Sequence, residues 1–522
     1  MLTRYLFGLN LLLGSALAAE PTPQQWFEQG AAAVRAAEEH RPIPGRARNV
    51  ILFIGDGMGI TTVTAARILD GQQHGQSGEE NILSFERFPN VALAKTYSVN
   101  QQTPDSAPTA TALLTGVKTN DGAVSVDHGL ARNEGRAAAV AARRLHTLLE
   151  RAEQRGLATG IVTTTRVTHA TPAAAFAHIG ERDWECDADI NVAGADVPDI
   201  ARQLVEFPYG DGIDVVLGGG RTKFLPASVA DPEYPDKVGA RKDGRNLIEE
   251  WSRAAGRRFV WIRDQFAALE PATAGQVLGL FERSHMRYEA DREKDAAGEP
   301  SLAEMTAKAI QLLARNPDGY FLEVEGGRID HAHHAGNAYR ALTDTIAFAA
   351  AVQVAVDLTR ESDTLIIVTA DHSHTLSING FPKRGNPILG KVVEPGKSEP
   401  ARDALGLPFT TLTYANGPGY SGETKNRRGE TQGPGVKTLR PGAAGEEGFS
   451  PTEAKPAIGR PDLSEIDTEH ADFMQEALFP YWIETHGGED VAIYARGPGA
   501  HLVRGVMEQN AVFHVMLRAF GW

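Results

Sequence analysis

The segment Glu325-Gly326-Gly327-Arg328-Ile329-Asp330-His331-Ala332-His333-His334 places three histidines and two carboxylates within ten residues. Asp330 and His334 lie four apart, so on a helical turn they share one face and can grip a single cation. Imidazole combined with carboxylate suits catalytic zinc. The same residue types recur at Asp371-His372, followed by His374, at Asp56 inside a glycine run, at His169 and Thr171, and at His486. An aspartate in a glycine-rich turn is commonly structural, as is a lone histidine. Their recurrence points to a metal-dependent reaction. The glycines around Asp56 do not follow G-x-G-x-x-G, and a carboxylate there would repel a pyrophosphate unless a cation intervened.

Residues 103–116 read as a loop, a serine at a helix start and a short helix closed by Gly116, with Pro108 in the first turn. Ser106 is the expected N-cap. A helix N-terminus also favours anions, so a serine alkoxide and an incoming phosphate would both be stabilised there. No general base adjoins Ser106 in sequence, which leaves activation to a metal. Arg182, in Gly180-Glu181-Arg182-Asp183-Trp184, adds a further polar group.

Strands must deliver these side chains. The apolar run 49–54 ends at Asp56, 157–165 leads to His169 and Thr171, 320–325 ends at Glu325, and 364–370 ends at Asp371. A similar run at 213–217 breaks into glycines, and 491–495 follows His486. Helices are expected at 137–155 and 302–315, and 506–522 reads as a final strand or helix with a polar interruption. Ligands of open α/β sheets bind beyond the carboxyl ends of the strands, where these residues lie. The expectation is an α/β fold: a large, mostly parallel central sheet with helices on both faces. Residues 381–455, rich in Gly, Pro and charge, form a loop-rich insertion over the site or a dimer interface.

A chain of 522 residues can hold such a sheet as one domain, here 47–522. The net charge of −15, without basic clusters, argues against a nucleic-acid-binding surface. Residues 1–18 look like a signal peptide: Arg4, an apolar run too short to span a bilayer, and Ala16-Leu17-Ala18. Residues 19–46 read as a peripheral helix and linker. An exported protein, periplasmic or extracellular, is expected, with no membrane span in the mature chain. The single cysteine, Cys186, excludes an intrachain disulfide.

Taken together, these stretches resemble the alkaline phosphatases over nearly the whole mature chain. Asp105-Ser106-Ala107 with Thr109-Ala110-Thr111-Ala112 is similar to the phosphoserine segment, and Glu325 to His331 with His334 resembles the metal-binding segment of the animal-type branch. The resemblance implies phosphate monoester hydrolysis through a phosphoserine on Ser106, in a homodimer with a crown-like insertion. It assigns Asp330, His334 and His486 to one Zn2+ and Asp56, Asp371 and His372 to a second. Asp56, Thr171 and Glu325 would hold one Mg2+ with waters. Arg182 would clamp the phosphate, oriented by Asp105. His169 and His331 stand where some bacterial relatives carry Asp and Lys, beside magnesium and phosphate. Glu233, the Phe281 carbonyl, Glu282 and Glu299 resemble the animal-type Ca2+ site, while the animal disulfide cysteines and lipid-anchor tail are lacking. A metal-dependent phosphodiesterase or sulfatase of the same fold, or a metal-dependent phosphate binder, remains as an alternative.

Overall fold

In the computed structural model, which describes residues 22–422, 424–425, 431–432 and 460–522, the middle of the protein is built from strands with no exposed face. The large sheet contains β1 (Asn49–Gly55), β2 (Asn90–Lys95), β3 (Ala158–Arg166), β4 (Val215–Gly219), β5 (Arg257–Val260), β6 (Gln276–Leu280), β7 (Tyr320–Glu325) and β8 (Thr364–Ala370). With Val491–Arg496 and Gly505–Glu508 it has ten strands, in the order Gly505–Glu508, β2, Val491–Arg496, β8, β1, β7, β3, β4, β6, β5. Val491–Arg496 runs antiparallel to both neighbours, and every other pairing is parallel. β1, β7 and β8 are buried along their whole length, as expected of parallel strands covered by helices on both faces.

The longest helix, Ala338–Leu358, is the one helix among the described residues apolar and long enough to cross a membrane by composition. Its placement is that of a core helix. Phe348 meets Phe53 of β1 edge to face at 5.8 Å, and the buried residues include Arg340 and Asp344.

Three local expectations change. Residues 137–155 form two short helices, Ala137–Ala141 and Leu148–Glu153, because Arg144 bridges to Val126 and Thr147 starts a new helix with a capping box to Glu150. Asp105, not Ser106, is the N-cap of Ser106–Thr115: its carboxylate accepts from the Ala107 N–H, which moves the serine into the first helical turn. The C-terminus holds both a strand, Gly505–Glu508, and a helix, Ala511–Phe520.

Strands Leu376–Ile378, Leu412–Gly417 and Ala477–Pro480 form a second, three-stranded sheet. Most of the expected insertion beyond Gly422, apart from two two-residue strands, and the expected signal peptide lie outside the described residues. Among the described residues, 22–41 belong to a unit of their own, in which Pro23–Glu39 is a helix with a Thr22 capping box and no buried residue.

Glu323, in the centre of β7, is fully buried, and neither carboxylate oxygen has a hydrogen-bond partner among the described residues. Burial, reinforced by Glu325, raises this carboxyl well above its ordinary value. The folded state therefore keeps a proton that the unfolded chain releases, and stability falls as pH rises from about 4 by up to ~1.4 kcal/mol per unit. Glu323→Leu is expected to raise the melting temperature, by more at pH 8 than at pH 5. Equal gains at both pH values in thermal denaturation would refute this.

Candidate active site

Sheet register brings the polar strand ends to one level. Ile54 pairs with both Glu325 and Thr369, Gly55 with Ala370, and Thr163 with Glu325, so Asp56, Glu325 and Asp371 leave neighbouring strands side by side. All three are fully buried. Asp371 accepts from the Gly57 N–H at 3.0 Å and from the His372 N–H at 2.9 Å, whereas neither oxygen of Asp56 has a hydrogen-bond partner among the described residues. His372 Nε2 lies 3.4 Å from Asp56 Oδ1 and 3.2 Å from Asp371 Oδ2. Burial first, then Asp371, Asp330 and Glu325, drives Asp56 well above the usual carboxylate range.

A second cluster is fixed by its hydrogen bonds. His334 donates from Nδ1 to the Glu484 carbonyl at 2.5 Å, and His486 donates from Nδ1 to the Pro104 carbonyl at 2.7 Å. The Nε2 atoms of both rings thus turn toward each other, 3.1 Å apart, and toward Asp330 Oδ1 at 3.3 and 3.4 Å. The two imidazole lone pairs face a carboxylate oxygen whose hydrogen-bond partner is His374 Nε2 at 2.6 Å, and with no donor of their own they call for positive charge. Burial opposes it, yet Asp330 raises the His486 imidazole above its ordinary value.

A third group, Asp56, His169 and Glu325, offers ligand atoms within 4.8 Å of one another. Thr171 Oγ1, buried beside it, makes no hydrogen bond among the described residues, nor does Glu325 Oε1. Glu325 is pushed up to about 7 by burial, even though Thr163 and Thr165 donate hydroxyls to it. Orphaned acceptors, imidazole–carboxylate sets and one oxygen-rich set fit cations of two kinds, borderline and hard.

Ser106 sits between these groups. Its Oγ is 3.1 Å from His372 Nε2, at the N-terminus of a ten-residue helix whose every residue is buried. Arg182 donates to Asp105 through one nitrogen and to His169 Nε2 at 2.9 Å through the other. The arrangement can hold an oxyanion against a serine hydroxyl.

Among known proteins, the family model described as alkaline phosphatase matches residues 47–438 and 448–521. The chain belongs to the alkaline phosphatase family. Relatives include the tissue-nonspecific alkaline phosphatases of Gallus gallus, 44% identical over 96% of this chain and 90% of that protein, and Homo sapiens, 41% identical over 96% and 89%. A membrane-bound alkaline phosphatase of Bombyx mori is 41% identical over 96% of this chain and 85% of that protein. In fold, the chain is similar to the alkaline phosphatase of Thermus thermophilus, with TM-score 0.61, 24% identity and coverage of 93% and 94%. The structure from the Antarctic bacterium TAB5 gives TM-score 0.56, 21% identity and coverage of 92% and 99%. A histidine-to-aspartate mutant of the TAB5 alkaline phosphatase is described with Mg bound in its M3 site. Alkaline phosphatases are phosphoric monoester hydrolases, and phosphate monoester hydrolysis is the activity of this family member.

His374 stood in the sequence beside the expected ligands without a role, and Glu484 was passed over. His374 is fully buried in ring contact range of the second cluster, donating from one nitrogen to Glu484 and contacting Asp330 through Nε2 at 2.6 Å. Both stand within three residues of a proposed ligand, in Asp371-His372-Ser373-His374 and Glu484-Thr485-His486, which was the available signal.

The remaining acidic candidates lie in their own cluster. Glu233 pairs with Arg221, Glu282 accepts from the Tyr234 hydroxyl at 2.9 Å, and Glu299 accepts from the Arg287 N–H at 3.0 Å. Phe281 leads straight out of β6 into Glu282, with its N–H bonded to the Gly218 carbonyl at 2.8 Å. Asp295, missed in the sequence, is buried with neither oxygen hydrogen-bonded among the described residues. Burial, with Glu282 and Asp295 adding to it, pushes Glu233 up to about 7 despite Arg221.

Proposed function

We propose that this phosphatase works through Ser106 as nucleophile, within two zinc sites and one magnesium site. The observation that carries this reading is Ser106 itself: a hydroxyl at a helix N-terminus, hydrogen-bonded to His372 in a cluster of acceptors, one residue from the carboxylate that holds Arg182. Asp56, Asp371 and His372 would hold one Zn2+, and Asp330, His334 and His486 the other. Asp56, Glu325 and Thr171 would hold Mg2+, with His169 beside it. Bound there, the cations supply neutralisation of the phosphoryl oxygens and a lowered hydroxyl pKa.

Ser106 Oγ, once deprotonated, displaces the alcohol from phosphorus, and water then cleaves the phosphoseryl bond to release inorganic phosphate. Arg182 donates two N–H groups to non-bridging oxygens, a planar fork that lysine cannot reproduce. Asp105 holds that fork and caps the helix carrying Ser106, so one side chain sets clamp and nucleophile together. Ser106→Ala is expected to lower monoesterase turnover by about three orders of magnitude or more, with zinc content unchanged by elemental analysis. Near-normal turnover would sink the nucleophile assignment.

His169 brings an imidazole to within 4.8 Å of the ligand atoms of Asp56 and Glu325. Imidazole is a poorer partner than carboxylate for magnesium and a better one for zinc. The enzyme is therefore expected to be activated by added magnesium and inhibited by surplus zinc. In a magnesium titration with both zinc sites filled, His169→Asp should bind magnesium more tightly than the wild type. Equal affinities would show that residue 169 does not govern the site.

The acidic cluster fits calcium, a hard cation with flexible oxygen ligation. Glu233, Glu282 and the Phe281 carbonyl would supply ligands, with the orphaned Asp295 as a further carboxylate and Glu299 alongside. Asp295→Asn is expected to abolish the stabilisation that added calcium gives the holoenzyme in thermal denaturation. An undiminished calcium response in the variant would remove Asp295 from the site. The same reading includes export directed by residues 1–18 and assembly as a homodimer.

A further inference from the structure

Two segments that frame the site also enclose a space of about 690 Å³ beside it. One is Tyr97 to Thr103, which runs into Asp105 and Ser106, and the other contributes Gly488, two residues beyond His486. The segments are joined where His486 donates to the Pro104 carbonyl at 2.7 Å, and they approach so closely that a Cβ on Gly488 would stand 2.9 Å from Thr103 Oγ1. Gln101, in the wall, accepts from the Asp105 N–H at 3.2 Å, so the wall is bonded to the residue that holds Arg182. The volume lies in the range of small-molecule sites, about 300–1,000 Å³.

The walls are ordered by their own hydrogen bonds. Ser98 donates its N–H to the Gln101 carbonyl at 3.1 Å and its hydroxyl oxygen accepts from the Gln101 N–H at 3.1 Å, while Val99 donates to the Thr119 carbonyl at 3.0 Å. Lys118, outside the lining, holds one face of Tyr97 with its ammonium 3.3 Å from the ring centroid. That charge is met by Glu508 at 3.1 Å and by the Tyr97 carbonyl at 2.8 Å. Tyr97 is still 44% exposed, and none of the eight lining residues is charged.

Backbone donors fix which end of each amide is engaged. Asn100 Oδ1 accepts from the Asp121 N–H at 2.8 Å and Gln101 Oε1 from the Asp105 N–H, which leaves both NH2 groups without a partner among the described residues. The Gln102 side chain has none among them either. An amide NH2 can only donate, so a ligand for this cavity brings acceptors. An aromatic ring pinned on one face still stacks on the other, so the ligand also brings a flat ring. An added phosphate or amine would meet no counter-charge among the lining residues.

We propose that the cavity walled by Tyr97, Asn100, Gln101, Gln102, Thr103 and Gly488 is a specificity subsite for the alcohol half of the substrate. It receives an uncharged ring that carries hydrogen-bond acceptors, as a nucleobase does: the ring stacks on Tyr97 and the acceptors take the amide hydrogens. The proposal rests on Ser106 as the reacting centre, into which this wall leads.

The test measures kcat/KM of the metal-loaded holoenzyme on adenosine 5′-monophosphate and on ribose 5-phosphate, which share the reacting 5′-oxygen and differ in the base. Wild type is expected to favour the nucleotide about tenfold or more, the size of a base–aromatic stack. Tyr97→Ala should lower that preference about tenfold, and Tyr97→Phe, which keeps the ring, should retain it. Gln102→Ala should lower it about threefold, as for a lost neutral hydrogen bond, with ribose 5-phosphate unchanged in all three variants. A wild-type ratio near one overturns the subsite. So does a ratio that neither Tyr97→Ala nor Gln102→Ala changes, or a loss in Tyr97→Ala that falls equally on both substrates. A Tyr97→Ala loss seen with glucose 6-phosphate and not with the nucleotide overturns it as well. Should Tyr97→Ala fail to fold, an unchanged ratio in Gln102→Ala overturns it, since that exposed side chain holds nothing in place. Failure of the Ser106 reading shows separately, as near-normal turnover of ribose 5-phosphate by Ser106→Ala.

Discussion

Carboxylates that are buried together and cannot all be ionised at once constrain everything else in this structure. Asp56, Glu325 and Asp371 emerge at one level because β1 is registered against both β7 and β8, and Asp330 follows a few residues beyond β7. Two unit charges about 4 Å apart repel by ~4 kcal/mol at an effective dielectric constant of 20. Strands buried on both faces cannot spread to relieve that repulsion, since moving them would open the core. Positive charge is the remaining remedy, and Asp56 held well above its ordinary value shows the demand. The fold stores an electrostatic deficit at the strand ends, and cations answer it.

Hydrogen placement then depends on the groups around each ring. At His334 and His486 the backbone carbonyls of Glu484 and Pro104 take the Nδ1 hydrogens, leaving lone pairs around Asp330. At His169 the Arg182 guanidinium donates to Nε2, and at His331 the Arg328 guanidinium donates to Nδ1. The same residue type takes different tautomers because its neighbours set them. Spacing of histidines in a sequence carries no information about which nitrogen holds the proton.

Much of the frame around those histidines is nevertheless legible in the sequence. The strands ending at Asp56, Glu325 and Asp371 are plain, because a largely apolar run of six or seven residues, interrupted by Glu323 in the second, that stops at glycine or a carboxylate has the length and pattern of a strand buried on both faces. Asp330 and His334 are readable from helical spacing alone. The break between Ala141 and Leu148 is not, since it depends on Arg144 reaching Val126, a contact that an alanine- and arginine-rich stretch does not announce. Asp105 and Ser106 are both good N-caps, and only the backbone geometry chooses between them. Asp295 is hidden in a charged segment, Asp291-Arg292-Glu293-Lys294-Asp295, in which Asp291 is buried too but paired with Arg340, so that the missing hydrogen-bond partner and not the sequence singles out Asp295.

The position of Ser106 depends on residues far from it in sequence. Gly116 closes the Ser106 helix in the left-handed region, at φ 78°, and a Cβ there would come within 2.6 Å of Phe513. Asn510 donates to the Gly116 carbonyl at 2.9 Å, and its neighbour Gln509 donates to the Asp371 carbonyl at 2.7 Å. Two adjacent side chains at the start of the C-terminal helix therefore tie the closing end of the Ser106 helix to the strand end that carries Asp371 and His372. A serine and a ligand cluster that must meet within tenths of an ångström are referenced to one short segment, and phosphoryl transfer depends chiefly on that kind of positioning. The last fourteen residues, from Gln509 to Trp522, thus belong to the active site as its frame.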